Sequence, residues 1–138
     1  MKRHIIVILL FCMMVLTAWN NNNTSPNAVY RKISAEDAYQ MMQDTNDYIL
    51  LDVRTGEEFN EKHIKGAVLI PDYEIKSRAA TAFPDKNCLI LVYCRSGRRS
   101  ANAANELVKM EYTNVYDFGG IIDWPYGTAI GKQSLEGR

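Results

Sequence analysis

With 138 residues, 47% of them hydrophobic, the chain is long enough and apolar enough for one buried core. Its 16 basic residues balance 16 acidic ones, which argues against a general nucleic-acid-binding surface. Two histidines and three cysteines, widely separated, do not make a zinc cluster, so neither metal nor cofactor is expected.

The N-terminus reads as a targeting segment. Lys2, Arg3 and His4 form a basic head, and residues 5–16 are an unbroken apolar run that Thr17-Ala18-Trp19 extends. Crossing a bilayer takes about 20 apolar residues, so this run is short for a stable membrane helix. Residues 1–19 therefore fit a secretory signal, with an uncleaved membrane anchor as the alternative. Leu16-Thr17-Ala18 has the form that precedes a lipid-modified cysteine in bacterial lipoproteins, but Trp19 follows it and Phe11 precedes Cys12. Residues 20–28 are a polar linker containing the tract NNNNTSPN. Cleavage near Ala18 leaves about 120 residues, enough for one domain. Loss of Lys2 and Arg3 leaves 14 basic against 16 acidic residues, a net charge of −2. The expected location is periplasmic or otherwise extracytoplasmic, with membrane attachment only through the N-terminus.

Residues 29–126 alternate strand-like and helix-like segments. Residues 29–33 form a short candidate strand. Ser34 then caps a helix, with Asp37 as its capping-box partner and Ala35, Ala38, Tyr39 and Met42 on one face. Residues 48–53 (YILLDV) read as a buried strand, and Thr55 caps a short acidic helix over 56–61. Residues 67–70 form a strand stopped by Pro71, followed by a helix from Asp72 to about residue 80. Residues 88–93 are apolar without alternation, as in a central parallel strand covered on both faces. A helix over 100–110 follows, with Ala101, Ala104, Leu107 and Val108 turned inward. Residues 114–116 make a last strand, then come Gly119-Gly120 and a short helix over 121–124. Residues 127–138 are a polar, glycine-containing tail whose composition favours disorder. This alternation gives an α/β domain with a mainly parallel central sheet flanked by helices on both faces. Ligands of such sheets bind beyond the carboxyl ends of the strands.

At one such end stands Cys94-Arg95-Ser96-Gly97-Arg98-Arg99. A thiol between a strand and a helix meets free backbone N–H groups, a helix N-terminus and cationic side chains, and each favours thiolate. The same unit can cradle an anion. If residues 88–93 form one strand, Cys88 lies roughly 20 Å from Cys94. A disulfide needs Cα atoms within about 7 Å, so Cys94 is expected to be a free thiol and Cys88 an inert core residue. A free thiol in an exported domain points to chemistry rather than to stapling.

Three stretches in order resemble the single-domain rhodanese family of sulfurtransferases. They are Leu51-Asp52-Val53-Arg54 with Glu57-Glu58-Phe59 and His63-Ile64-Lys65-Gly66-Ala67, then Tyr93 to Ser100, then Tyr116-Asp117-Phe118-Gly119-Gly120 with Trp124. Lys65 stands where many members have proline, and Ile121 where an aromatic is common. The resemblance implies a rhodanese-like fold and a Cys94 nucleophile that takes a sulfur atom from a small anionic donor such as thiosulfate. A persulfide then passes that sulfur to a thiophilic acceptor such as cyanide, with ping-pong kinetics. Backbone N–H groups over residues 95–99, with Ser96 and Gly97 among them, are expected to hold the negative charge, Gly97 letting the loop turn. Arg95, Arg98 and Arg99 are placed to recruit the donor, though not all three can point inward.

Asp52 and Arg54 share the sheet edge with Cys94. Their charge there points to pairing with loop groups, in support of the loop alongside Ser100; a structural salt bridge is preferred over direct catalysis. His63 is read as a structural residue of the 63–67 turn, and Asp117 and Trp124 as structural too. Two other readings remain. A phosphatase or arsenate reductase of the same fold has five residues between its cysteine and arginine, whereas here four separate Cys94 from Arg99 and Tyr93 stands where histidine is common. A non-catalytic partner-binding module usually lacks the cysteine. The domain is expected to act as a monomer.

Overall fold

The computed structural model describes residues 29–131; the expected signal and linker at 1–28, and tail residues 132–138, lie outside the described residues. Five strands form one sheet: β1 (Arg31–Lys32), β2 (Ile49–Asp52), β3 (Val68–Leu69), β4 (Ile90–Cys94) and β5 (Val115–Gly120). Their order is β1-β5-β4-β2-β3, and each pairing is parallel, so the sheet is wholly rather than mainly parallel. The strands are shorter than the expected segments at β1, β2 and β3. The long run at 88–93 is displaced instead: β4 begins at Ile90 and ends on Cys94 itself.

Among the described residues four α-helices connect the strands: α1 (Ala35–Asp44), α2 (Gly56–Glu61), α3 (Ile75–Ala82) and α4 (Arg98–Lys109). Two begin in complete capping boxes. Ser34 accepts from Asp37 N–H and Thr55 from Glu58 N–H, while each acidic partner accepts the cap's own N–H. A 3₁₀ turn (Asp72–Glu74) precedes α3, and another (Ile121–Asp123) follows β5. The helix expected from Asp72 thus starts as 3₁₀ and continues to Ala82.

Alternation along the strands divides the interior into two cores. Leu51, Val92, Cys94 and Val115 pack with Ile75 and Ala79 of α3 and Ala103, Ala104 and Leu107 of α4. Leu50, Leu91, Tyr93 and Phe118 pack with Ala38 of α1, Phe59 of α2 and Trp124. All five β4 residues are buried, as both-face cover requires. On α4 the buried positions are Ser100, Ala103, Ala104 and Leu107, a spacing of 0, 3, 4 and 7; Ala101 and Val108, expected inward, are only partly buried. The helix starts two residues earlier than expected, at Arg98, and its face is set by the small residues that meet the sheet.

The chain leaves neighbouring strands β2 and β4 towards opposite faces, because α2 joins one core and α4 the other. That divergence opens a crevice at their carboxyl ends, and Cys94 lies there. The segment after Tyr126 departs from the expected disordered tail. His63 and Ala129 form an antiparallel bridge, with N–H to O distances of 2.9 and 2.7 Å, and Gly131 N–H donates to Asn60 O at 2.9 Å. The ordered unit therefore runs past residue 126 to at least residue 131. Among the described residues no helix is long and apolar enough to cross a membrane.

Candidate active site

Cys94 is buried, with 1% of its surface exposed, at the end of the central strand. The backbone then turns through Gly97, whose φ of 104° lies in the left-handed region that a side chain would strain. Gly97 is the N-cap of α4, so its N–H is one of the helix's unpaired donors, and it points at Cys94 Sγ from 3.0 Å. Ser100, one turn into α4 and fully buried, brings its hydroxyl to 3.6 Å from the same sulfur.

These contacts set the thiol's acidity. Burial is the largest single influence and pushes the Cys94 pKa up. The Ser100 hydroxyl and the backbone N–H groups of Ser100, Gly97 and Ser96 outweigh it together, and the net shift is downward. Cys88 behaves in the opposite way: burial raises its pKa, and nearby Asp85 adds to the effect. Both cysteines are free thiols, in line with the expected separation.

The three loop arginines divide. Arg95 and Arg98 are exposed. Arg99 is held: Nη1 donates to Glu58 Oε2 at 2.8 Å and Nη2 to Glu58 Oε1 at 2.7 Å. Glu58 belongs to the α2 capping box, so this pair ties the helix after β2 to the helix after β4 across the crevice. The Arg99 guanidinium holds the Glu58 carboxyl down to about 2. Ser96 is exposed in the loop, and the Cys94 charge is felt at Arg99.

Asp52 and Arg54 meet each other. Arg54 Nε and Nη2 donate to the two Asp52 oxygens at 3.0 and 2.6 Å, with both residues buried. No hydrogen bond among the described residues joins either of them to residues 95–99. The pairing with loop groups expected from their charge is thus replaced by the salt bridge, because the two-residue spacing lets Arg54 fold back onto the carboxylate. Arg54 Nη2 also donates to Lys62 O at 2.6 Å, fixing the turn in which Ile64 N–H donates to Tyr93 Oη at 3.1 Å. His63 is buried in that turn, stacked on Phe59, with Nδ1 2.9 Å from Phe59 O. It is engaged structurally, through the Phe59 stack and the Nδ1 contact.

The end of β5 forms the platform beneath the loop, a contribution carried in the sequence only by the Gly119-Gly120 pair. A methyl group on Gly120 would lie 2.2 Å from Arg95 O and 2.7 Å from Ser96 Cα. Only a bare α-carbon lets the loop backbone lie this close. Ile122 N–H donates to Arg95 O at 3.3 Å, and Ser100 Oγ lies 3.3 Å from Gly119 O. Among the described residues no group of three or more His, Cys, Asp or Glu side chains is arranged to hold a metal ion.

Residues 34–125 match the model of the rhodanese-like domain. The thiosulfate sulfurtransferase PspE of Escherichia coli is 47% identical over 73 residues, spanning 53% of this chain and 70% of that protein. A sulfurtransferase of Allochromatium vinosum is 35% identical over 94 residues, 67% of this chain and 86% of its own. A solved structure described as rhodanese with anions from E. coli superposes with a TM-score of 0.58 at 42% identity, covering 61% of this chain and 99% of that one.

Proposed function

The chain belongs to the rhodanese-like family, and on that premise we propose that it transfers sulfur from thiosulfate through a persulfide on Cys94. The observation that carries this reading is the Gly97 N–H aimed at Cys94 Sγ from 3.0 Å at the head of a twelve-residue helix. The Cys94 thiolate attacks the outer sulfur of thiosulfate. A new S–S bond forms at Cys94, the donor's own S–S bond breaks, and sulfite leaves with the electron pair. The persulfide's terminal sulfur carries the negative charge, and the loop N–H groups and the α4 N-terminus stabilise it. Cyanide then attacks that sulfur, thiocyanate leaves and the Cys94 thiolate is restored. Neither half-reaction needs a proton, which fits a site whose nearest histidine is occupied elsewhere.

Arg95 and Arg98 are the cations free to draw in a dianionic donor. Arg99 is committed to Glu58, which counts against a phosphatase reading, since that chemistry needs an arginine over the bound oxyanion. The basic head and apolar run at residues 1–19 support export, so the reaction is assigned to an extracytoplasmic compartment. The deciding experiment is intact-mass measurement after thiosulfate treatment. One added sulfur atom is expected, removed by cyanide and absent in Cys94→Ser. An unmodified wild-type protein would refute sulfur transfer.

A further inference from the structure

Asp117 stands on β5 opposite Val92 of β4, two residues from Val115 and so on the same sheet face as Val115 and Cys94. It is fully buried. Its Oδ1 accepts the Gly119 N–H at 3.0 Å, while Oδ2 is the one buried side-chain oxygen or nitrogen among the described residues without a hydrogen-bond partner. A buried acceptor left unpaired works against folding, and an apolar side chain would remove that cost. It would also remove the bond to Gly119.

That bond does specific work. It closes a turn from residue 117 to residue 119 and holds Gly119 at a φ of 88°. Gly119 in turn backs two of the groups that face the sulfur. Its carbonyl lies 3.3 Å from Ser100 Oγ, and its Cα lies 3.5 Å from where a Cβ on Gly97 would stand. Ser100 has one hydroxyl proton and three neighbours able to accept it: Gly97 O at 3.0 Å, Gly119 O, and Cys94 Sγ once ionised. While Cys94 is a thiol, its S–H donates to Ser100 Oγ and the serine proton goes to a carbonyl. When Cys94 ionises, the serine proton turns to the sulfur without movement of the side chain. This requires Ser100 Oγ to be held at a fixed point between the two carbonyls.

Resting on the reading of Cys94 as the nucleophile, we propose that Asp117 is a positioning residue for Cys94, acting through the Gly119 peptide and the Ser100 hydroxyl. Of the charged groups near the thiol, Arg95 and Arg98 are exposed on the loop, Arg99 on α4 is paired with Glu58 of α2, and Asp52 and Arg54 at the end of β2 are closed on each other. The proposed role of Asp117 lies in its acceptor oxygen rather than in its charge.

The test follows alkylation of Cys94 by iodoacetamide against pH, read by peptide mass in the full chain, together with the rate of sulfur loading from thiosulfate. Asp117→Ala is expected to raise the alkylation midpoint by about one pH unit and, at a pH well below both midpoints, to slow loading about tenfold. Asp117→Asn is expected to restore both, because its amide oxygen still accepts the Gly119 N–H. Gly119→Ala has room for its methyl group but not the favoured φ, and is expected to shift the midpoint in the same direction. It decides the matter if Asp117→Ala does not fold. A folded Asp117→Ala with the wild-type midpoint overturns the proposal, as does an Asp117→Asn shifted as far as the alanine variant. Wild-type protein that never acquires sulfur defeats sulfur transfer, and the alkylation midpoints still decide the role of Asp117.

Discussion

Arg99 and Glu58, 41 positions apart in the chain, face each other as a two-pronged ion pair that spans the crevice above the sheet. The Glu58 carboxyl is held at about 2 against an ordinary value of 4.5. A depressed acid stabilises the fold fully above its unfolded pKa and loses that contribution as pH falls through its folded one. Arg99→Ala should therefore cost about 1 kcal/mol at neutral pH, the scale of a partly exposed pair. The gap from wild type should close between pH 4.5 and about 2. Urea unfolding across that range checks it, and a gap that does not change with pH would show that the pair does not titrate.

The acidity of Cys94 depends on a balance in which burial opposes the hydrogen bonds around the sulfur. Ser100→Ala removes the largest of the opposing contacts. Its alkylation midpoint should rise by about one pH unit, which at any pH well below both midpoints leaves roughly a tenth of the thiolate. Persulfide formation should slow in proportion. A variant that loads sulfur at the wild-type rate would assign thiolate stabilisation to the backbone N–H groups alone.

Gly120 and Gly119 are adjacent but unequal. Alanine at 120 would drive its methyl group into the backbone of Arg95 and Ser96, whereas alanine at 119 meets open space. Gly120→Ala should destabilise the domain by about 1–3 kcal/mol and displace the loop. Thermal unfolding gives the first quantity and the Cys94 alkylation rate the second. Wild-type behaviour in both would contradict the close approach.

Ending the chain after Tyr126 removes the two His63–Ala129 bonds, the Gly131–Asn60 bond, and the bond from Trp124 Nε1 to Gly127 O. About 1 kcal/mol for each bond lost is the expected scale. Denaturant titration of the shortened protein should show an earlier midpoint; an unchanged one would make residues 127–131 a passive extension.

What the sequence revealed was chiefly local. Ser34 with Asp37 and Thr55 with Glu58 announce their helices because a capping box spans only four residues. The Cys94 loop was legible because strand, glycine and helix are contiguous there. The partners of the loop were not. Glu58 also accepts two hydrogen bonds from Arg99 that no local pattern announces, and the turn joining Asp117 to Gly119 gains meaning only once Gly119 lies against Ser100. The inward face of α4 holds Ala104 and Leu107 as expected but Ser100 and Ala103 in place of Ala101 and Val108, because a tract with alanines at 101, 103 and 104 offers more than one helical stripe until the starting residue is known.

The sheet's two outer strands, β1 and β3, are each two residues long, and β1 consists of exposed Arg31 and Lys32. An open sheet invites another chain to add a strand along its rim, and the invitation grows with the length of unpaired backbone. Here the rim offers little ladder, and on one side it carries two positive charges that would repel a second copy. The fold can thus hold a reactive thiol at its centre while giving newly made, unfolded or crowded neighbours almost nothing to zip onto.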